Sequence, residues 1–297
     1  MNSIHYTHCP LCRSAAINPV LSAEDYTVSH ETFIIAECSD CSVRFTQDVP
    51  DSQSISPYYK SEAYISHTNT SKGLINSVYQ LVRKKTMIGK RKLVQKATRL
   101  QQGKLLDVGS GIGTFAHEMK QSGWDVTGLE PDEDARNIAA RLYPIELTDI
   151  TQFYKLPAGS FDVITLWHVL EHVHDLQDYI QQLKRLLSEK GKLFIAVPNY
   201  TSKDATAYKE CWAAYDVPRH LYHFSPRAMQ VLMERNGLKV EKHKAMWFDS
   251  FYISMLSSKY KNGKSNIMAA CWYGLLSNIA AFGDTRKCSS VIYIIGK

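Results

Sequence analysis

Residues 105–113 read Leu-Leu-Asp-Val-Gly-Ser-Gly-Ile-Gly, an apolar strand that runs straight into a glycine-rich turn. Twenty-one residues after Gly109, a second apolar stretch, Trp124-Asp-Val-Thr-Gly-Leu, ends in Glu130. Glycines at the carboxyl end of a strand let the backbone approach a ligand closely and open the next helix. An acid about 20 residues further on can accept hydrogen bonds from both hydroxyls of a ribose. Turn, strand and spaced acid together predict a parallel sheet with a nucleoside crevice. For Glu130 the competing reading is an acid at a helix N-terminus, ahead of Pro131.

The rest of the chain supports this frame. Strands are expected at Lys104–Val108, Asp125–Leu129, Ile145–Leu147, Phe161–Leu166 and Lys192–Val197, with helices starting near Thr114, Asp132, Asp175 and Ser225. Such alternation implies a parallel sheet with helices on both faces and right-handed crossovers. Two more strands, Leu238–Trp247 and Ser290–Ile295, flank a long piece near 248–288. That piece exceeds a plain hairpin loop and reads as a helical insertion.

The glycine spacing narrows the ligand. Dinucleotide enzymes usually show G-x-G-x-x-G at a pyrophosphate, whereas this turn has Gly109-x-Gly111-x-Gly113, with Asp107 inside the strand. A ligand with an amino acid tail and no phosphate needs room and backbone polar groups more than an anion cradle. From Leu105 to Phe115, at Phe161-Asp-Val-Ile-Thr-Leu-Trp-His-Val-Leu-Glu-His-Val-His-Asp175, and at Gly191-Lys-Leu-Phe-Ile-Ala-Val-Pro-Asn199, the chain resembles the class I S-adenosylmethionine-dependent methyltransferases. The Pro-Arg-His-Leu…Phe-Ser run at 218–225 is similar to one in ubiquinone-biosynthesis-type small-molecule methyltransferases. The resemblance covers about residues 103–247. It implies a Rossmann-like α/β fold with a seven-stranded methyltransferase sheet, mostly parallel with the last strand antiparallel.

The resemblance also assigns sites. Gly109, Gly111 and Gly113 would line the amino acid end of S-adenosylmethionine, with Asp107 ordering the loop; Glu130 would hold the ribose diol, and Asp149 and Ile150 the adenine. Glu171-His172 matches the family's Glu-His pair bordering the cofactor pocket, with His168 one helical turn before His172. Histidine suits removal of a proton from a hydroxyl or amine near neutral pH, so His172 and His220 are the candidate bases. The segment after the fifth strand gathers Trp212, Tyr215, Asp216, Arg219 and His220, a polar-aromatic set where an open α/β sheet places its substrate. Tyr64 and His67, ahead of the first strand, are candidate lid contacts, with ordinary docking of aromatics as the alternative.

Four of the seven cysteines form two knuckles, Cys9-Pro-Leu-Cys12 and Cys38-Ser-Asp-Cys41, separated by 25 residues. Two such turns supply a tetrahedral four-sulfur site suited to Zn²⁺. Four sulfurs leave no open position, so the metal would hold the fold and perform no chemistry. A hairpin is expected between the knuckles, near Ala16–Leu21 and Thr32–Glu37. The expected organisation is therefore a zinc-ribbon-like module at 1–50, a linker and basic helical lid at 51–102, and a methyltransferase domain at 103–297.

Between Ala63 and Leu106 there is no acid, while Lys72, Arg83, Lys84, Lys85, Lys90, Arg91, Lys92, Lys96, Arg99 and Lys104 all fall there. Leu74, Val78, Leu81, Val82, Ile88 and Leu93 recur at helical intervals. This is a basic amphipathic helix: either a solvated face beside a buried stripe, or an attractor of an anionic acceptor. No signal-peptide pattern and no bilayer-length apolar stretch is found, so the cytoplasm is the expected compartment. The acceptor would be a small molecule or glycan precursor such as a sugar nucleotide, with ribosomal or transfer RNA as the alternative. A nicotinamide dehydrogenase and a non-catalytic cofactor-binding protein are the other classes. The oligomeric state is left open.

Overall fold

The computed structural model describes residues 2–59 and 74–297, with the side chains of 74–82 left aside. Lys72, Tyr64 and His67 lie outside the described residues, as do the side chains of Leu74, Val78, Leu81 and Val82. The chain divides into two compact units. One comprises Met1–Ser66, Leu170–Asp178 and Ala196–Tyr293; the other comprises His67–Val169, Tyr179–Ile195 and Ile294–Lys297.

In the first unit, β1 (Ser3–Ile4) pairs antiparallel with β5 (Val49–Pro50). β2 (Ile17–Glu24), β3 (Thr32–Cys38) and β4 (Arg44–Thr46) form an antiparallel meander with the short β10 (Tyr222–His223) on its far edge. The hairpin between the knuckles is thus present, with a bulge between Pro19 and Leu21. Asp25 closes its turn: the carboxylate accepts from the backbone N–H groups of Thr27, Val28 and Ser29 at 3.0, 3.2 and 2.9 Å.

The second unit is built on parallel strands. β6 (Lys104–Val108) lies between β7 (Asp125–Leu129) and β8 (Phe161–Trp167), with Leu106 opposite Thr127 on one side and Ile164 on the other. Leu105, Leu106 and Val108 are all fully buried. A strand covered on both faces reads as a continuous apolar run, which explains why this segment stands out in the sequence. The strand order of the sheet is β11-β12-β9-β8-β6-β7, with β9 at Leu187–Pro198, β11 at Lys239–Ala245 and β12 at Ser290–Gly296, of which Ala196–Pro198, all of β11 and Ser290–Tyr293 are counted with the first unit.

Among the described residues the sheet has six strands where seven were expected. Ile145–Leu147 is not a strand; its place is taken by one parallel bridge, Leu129 to Thr148. Pro144 has no N–H to donate, and Asp149 already caps the 3-10 helix Ile150–Lys155 by accepting from Thr151 N–H. Ile145 N–H turns back to Tyr143 O, and Thr148 makes the bridge, donating to Gly128 O and accepting from Glu130 N–H, both at 2.9 Å.

Eight α-helices are described: α1 (Leu74–Thr98), α2 (Thr114–Gln121), α3 (Glu133–Leu142), α4 (Leu176–Leu186), α5 (Lys203–Tyr208), α6 (Pro226–Arg235), α7 (Asp249–Asn262) and α8 (Ile267–Gly283). Asp132 caps α3 through Asp134 N–H, and Ser225 caps α6 through Ala228 N–H, with Pro226 in the first turn. No described helix is long and apolar enough to cross a membrane.

Candidate functional site

In the second unit the glycine turn folds back on β7: Gly109 N–H and Ser110 N–H both donate to Leu129 O, at 2.8 and 2.9 Å. This places Glu130 beside the turn. Its carboxylate accepts from Gly111 N–H at 2.6 Å and from Asp132 N–H at 3.0 Å. Burial raises the Glu130 pKa, against the lowering effect of those two N–H groups. A carboxylate offers about four lone-pair positions, so two protein donors leave room for two more. That is what a vicinal diol needs.

The three glycines differ. All have positive φ, at 69°, 53° and 75° for Gly109, Gly111 and Gly113. A Cβ on Gly109 would meet Val169 Cγ2 at 2.5 Å, and one on Gly113 would press Ala139 Cβ at 3.2 Å. On Gly111 it would meet nothing within 4 Å among the described residues. Gly109 and Gly113 are therefore demanded by packing. Gly111 fronts open space next to the Glu130 carboxylate, which has acceptor positions left over.

Asp107 is buried and accepts from Thr165 Oγ1 at 2.7 Å; burial pushes its pKa up to about 6. Asp149 accepts from Thr151 N–H and from Arg136 Nη1 at 3.0 Å, and both lower its pKa. Ile150 follows it as the first residue of the 3-10 helix. His168 sits at φ 59°, at the end of β8. Lys90 of α1 lies 4.2 Å from the centroid of the Trp167 ring, itself edge-on to Phe115. Arg91 pairs with Glu118 at 2.8 Å, whereas Lys84, Lys85, Lys92, Lys96 and Arg99 are exposed.

The first unit holds the other candidates. His172 and His220, 48 residues apart in sequence, pack edge to face at 4.6 Å, and Glu171 offers a carboxylate oxygen within 4.8 Å of both rings' ligand atoms. His172 Nδ1 lies 3.0 Å from Arg219 O and 3.1 Å from the Tyr59 hydroxyl. His220 Nδ1 lies 2.9 Å from Ala214 O. A carbonyl can only accept, so each ring carries its proton on Nδ1 and leaves Nε2 as the acceptor. Burial, then the neighbouring His220 charge, lowers the His172 pKa to about 4.

The four residues expected at the substrate are deeply built in. Trp212 donates Nε1–H to buried Asp204 at 2.8 Å, and Ser277 and Ser289 donate to the same carboxylate. The Tyr215 hydroxyl accepts from Arg44 Nη1 at 2.8 Å. Arg219, 1% exposed, donates to Asp25, Asp216 and Tyr58 O. All four also line one cleft with Tyr26, Glu210 and Tyr260. Asp25 and Asp204 were missed by sequence reasoning: Asp25 pairs with Arg219, 194 residues away, and Asp204 accepts from Ser277 and Ser289, 73 and 85 residues away, as well as from the nearer Trp212.

The four knuckle cysteines converge. Cys9 Sγ to Cys41 Sγ is 3.6 Å and Cys12 Sγ to Cys38 Sγ is 3.5 Å, with all four sulfurs within 4.8 Å of one another. Sulfurs on a tetrahedral Zn²⁺ with bonds of about 2.3 Å stand about 3.8 Å apart, and a disulfide about 2.05 Å. The spacing fits the metal. The knuckles match in backbone too: Arg13 N–H donates to Cys9 O and Ser42 N–H to Cys38 O, with φ 66° and 59° at Arg13 and Ser42. The Cys9 thiol is drawn down to about 5, chiefly by hydrogen bonding from Cys41, whose own pKa rises.

A family model described as a methyltransferase domain matches residues 81–243, more than half of the chain. A ubiquinone biosynthesis O-methyltransferase of Pectobacterium atrosepticum is 34% identical over 118 residues, 37% of this chain and 48% of that protein. One from Actinobacillus pleuropneumoniae serotype 5b is 39% identical over 120 residues, 37% of this chain and 51% of that protein. The chain thus spans about half the length of the curated relatives it matches. In fold it is similar to magnesium protoporphyrin IX methyltransferase of Synechocystis PCC 6803 with bound SAH. The TM-score is 0.52 at 14% identity, covering 80% of this chain and 95% of that one. The parallel sheet, the glycine turn and this match converge: the chain belongs to the methyltransferase domain family, with the class I S-adenosylmethionine-dependent architecture.

Proposed function

We propose that the protein transfers the methyl group of S-adenosylmethionine to a small-molecule or glycan-precursor acceptor. The observation that carries this reading is the Glu130 carboxylate, fixed by Gly111 N–H and Asp132 N–H beside a glycine that fronts open space. Glu130 binds the ribose diol; Asp149 and Ile150 border the adenine; Gly109, Gly111 and Gly113 shape the turn for the methionine end, with Asp107 and His168 supporting it. When bound, S-adenosylmethionine supplies a methyl group activated by its sulfonium. The protein's contribution is then mostly alignment of donor and acceptor, which removes several kcal/mol of barrier. His220 Nε2 takes the proton released by the acceptor's hydroxyl or amine, with neutral His172 holding the ring in place. Trp212, Tyr215, Asp216 and Arg219 shape the acceptor side.

In this reading residues 1–50 are a zinc ribbon on Cys9, Cys12, Cys38 and Cys41, residues 51–102 a linker and lid helix, and 103–297 the transferase domain. The Zn²⁺ is structural. The exposed cations Lys84, Lys85, Lys92, Lys96 and Arg99 of α1 favour an anionic acceptor, and RNA is the second reading. RNA binding that falls steeply with salt would select it. Membership of the methyltransferase family sets the nicotinamide dehydrogenase aside.

Calorimetric titration of S-adenosylmethionine into wild type and Glu130→Ala tests the core. Wild type should bind and the variant should bind at least about tenfold more weakly, as expected for lost hydrogen bonds to a charged group. No binding by wild type overturns the function; equal binding by both removes Glu130 from it.

A further inference from the structure

Helix α8 is inside out. Its small residues Ala270, Gly274, Ser277 and Ala281 are buried, and a Cβ on Gly274 would meet Phe251 of α7 at 2.7 Å. Its large apolar residues face outward: Met268 is 85% exposed, Trp272 59%, Ile279 60% and Phe282 89%. Met268, Trp272, Leu275, Ile279 and Phe282 recur every three or four residues, which draws one stripe along the helix. Phe248, Tyr252 and Met255 make a second exposed stripe by α7. Trp247 joins the two, its ring centroid 6.4 Å from that of Phe282. An apolar patch of this extent on a protein surface marks an interaction site.

Charge identifies the occupant. Between Asp249 and Asp284 there is no acidic residue, while Lys259, Lys261 and Lys264 are all exposed where α7 gives way to α8. Lys287 is exposed just beyond the other end of α8, next to the Asp284–Arg286 ion pair. We propose that the α7–α8 face docks on an anionic lipid surface, with the stripe lying in the headgroup boundary and the cations at its ends meeting lipid phosphates. Aromatic residues such as Trp247, Trp272 and Tyr252 suit that boundary, and a helix of 17 residues lies in the plane without spanning it. A second copy fits less well. A twofold contact along the stripe would bring these cationic ends against each other, with Asp284 already engaged by Arg286 at 2.9 Å.

Cosedimentation with vesicles tests the proposal, using phosphatidylglycerol and phosphatidylcholine in equal parts against phosphatidylcholine alone. The full chain should bind the anionic vesicles at least about tenfold more tightly, and Trp272→Glu/Phe282→Glu should lose that binding by a similar factor. The triple change of Lys259, Lys261 and Lys264 to Glu should erase the preference for anionic lipid. Should the double variant fail to fold, quenching of wild-type tryptophan emission by brominated phosphatidylglycerol reads the same contact. Absence of binding and quenching, or equal binding by the folded double variant, overturns the proposal. A dimer abolished by the double variant, without vesicle binding, assigns the face to a second copy and overturns it as well.

Discussion

Arg219 and Asp25, 194 residues apart, form a buried ion pair at 3.0 Å, with side chains 2% and 0% exposed. Burial alone would raise the Asp25 pKa, but Ser29 N–H and Arg219 outweigh it and bring it to about 2. The same guanidinium is held by Asp216 at 2.6 Å and by Tyr58 O at 2.9 Å. One side chain therefore ties the hairpin turn at 25–31 to the 212–224 segment within the first unit.

Removing that guanidinium leaves two carboxylates with little water to replace it. Arg219→Ala should cost about 3–5 kcal/mol, the range for a buried charge stripped of its partner. Urea unfolding checks this. Arg219→Lys should recover only part, because one ammonium cannot reproduce the fork to Asp25 and Asp216. A loss under about 1 kcal/mol for Arg219→Ala would mean the pair is solvated.

His172 makes stability depend on pH in a defined window. Its pKa falls from 6.5 to about 4 in the fold, first through burial and then through His220. Between those values the unfolded chain binds a proton that the folded chain does not, so stability rises with pH. The contribution is complete above about pH 6.5 and is lost as pH drops toward 4. His172→Gln should flatten the acid limb of unfolding midpoints in that window. An unchanged slope would place the acid sensitivity elsewhere.

The turn glycines separate packing from binding. Gly109→Ala sets a methyl against Val169 in addition to a strained positive φ, so it should lower the melting temperature clearly. Gly111→Ala carries only the backbone strain, about 1–2 kcal/mol, but its methyl enters the open space beside Glu130. It should keep most stability and lose S-adenosylmethionine affinity, read by thermal shift with and without ligand. Equal loss of affinity in both variants, scaled to stability, would mean that Gly111 does not face the ligand.

What the sequence reveals here follows from distance along the chain. The strand into Gly109 and the acid at 130 sit within one βαβ unit, and the two knuckles frame one hairpin, so local spacing exposes both. The third expected strand is absent: Ile145 and Leu147 are buried as a strand's residues would be, yet Ile145 N–H turns back to Tyr143 O and the pairing with β7 is one bridge at Thr148. The contacts of His172 with His220, Ser289 with Asp204 and Arg219 with Asp25 join segments that no periodicity links. A polar residue destined for a buried network looks in sequence just like one destined for substrate.

The cysteine cluster gives the last prediction. Metal analysis of the purified chain should find one zinc, bound by thiolates at Cys9, Cys12, Cys38 and Cys41. Cys38→Ser should abolish it, since three sulfurs and a weaker oxygen no longer close the tetrahedron. Because binding free energy at such a site is folding free energy, the variant should melt at least about 5 °C lower, and a strong chelator should do the same to wild type. Intact mass under denaturing conditions supplies the counter-test. A chain about 4 Da lighter than its fully reduced mass would carry two disulfides in place of the metal. The sulfur separations of 3.5 and 3.6 Å already place the cysteines beyond bonding distance and within reach of a shared cation.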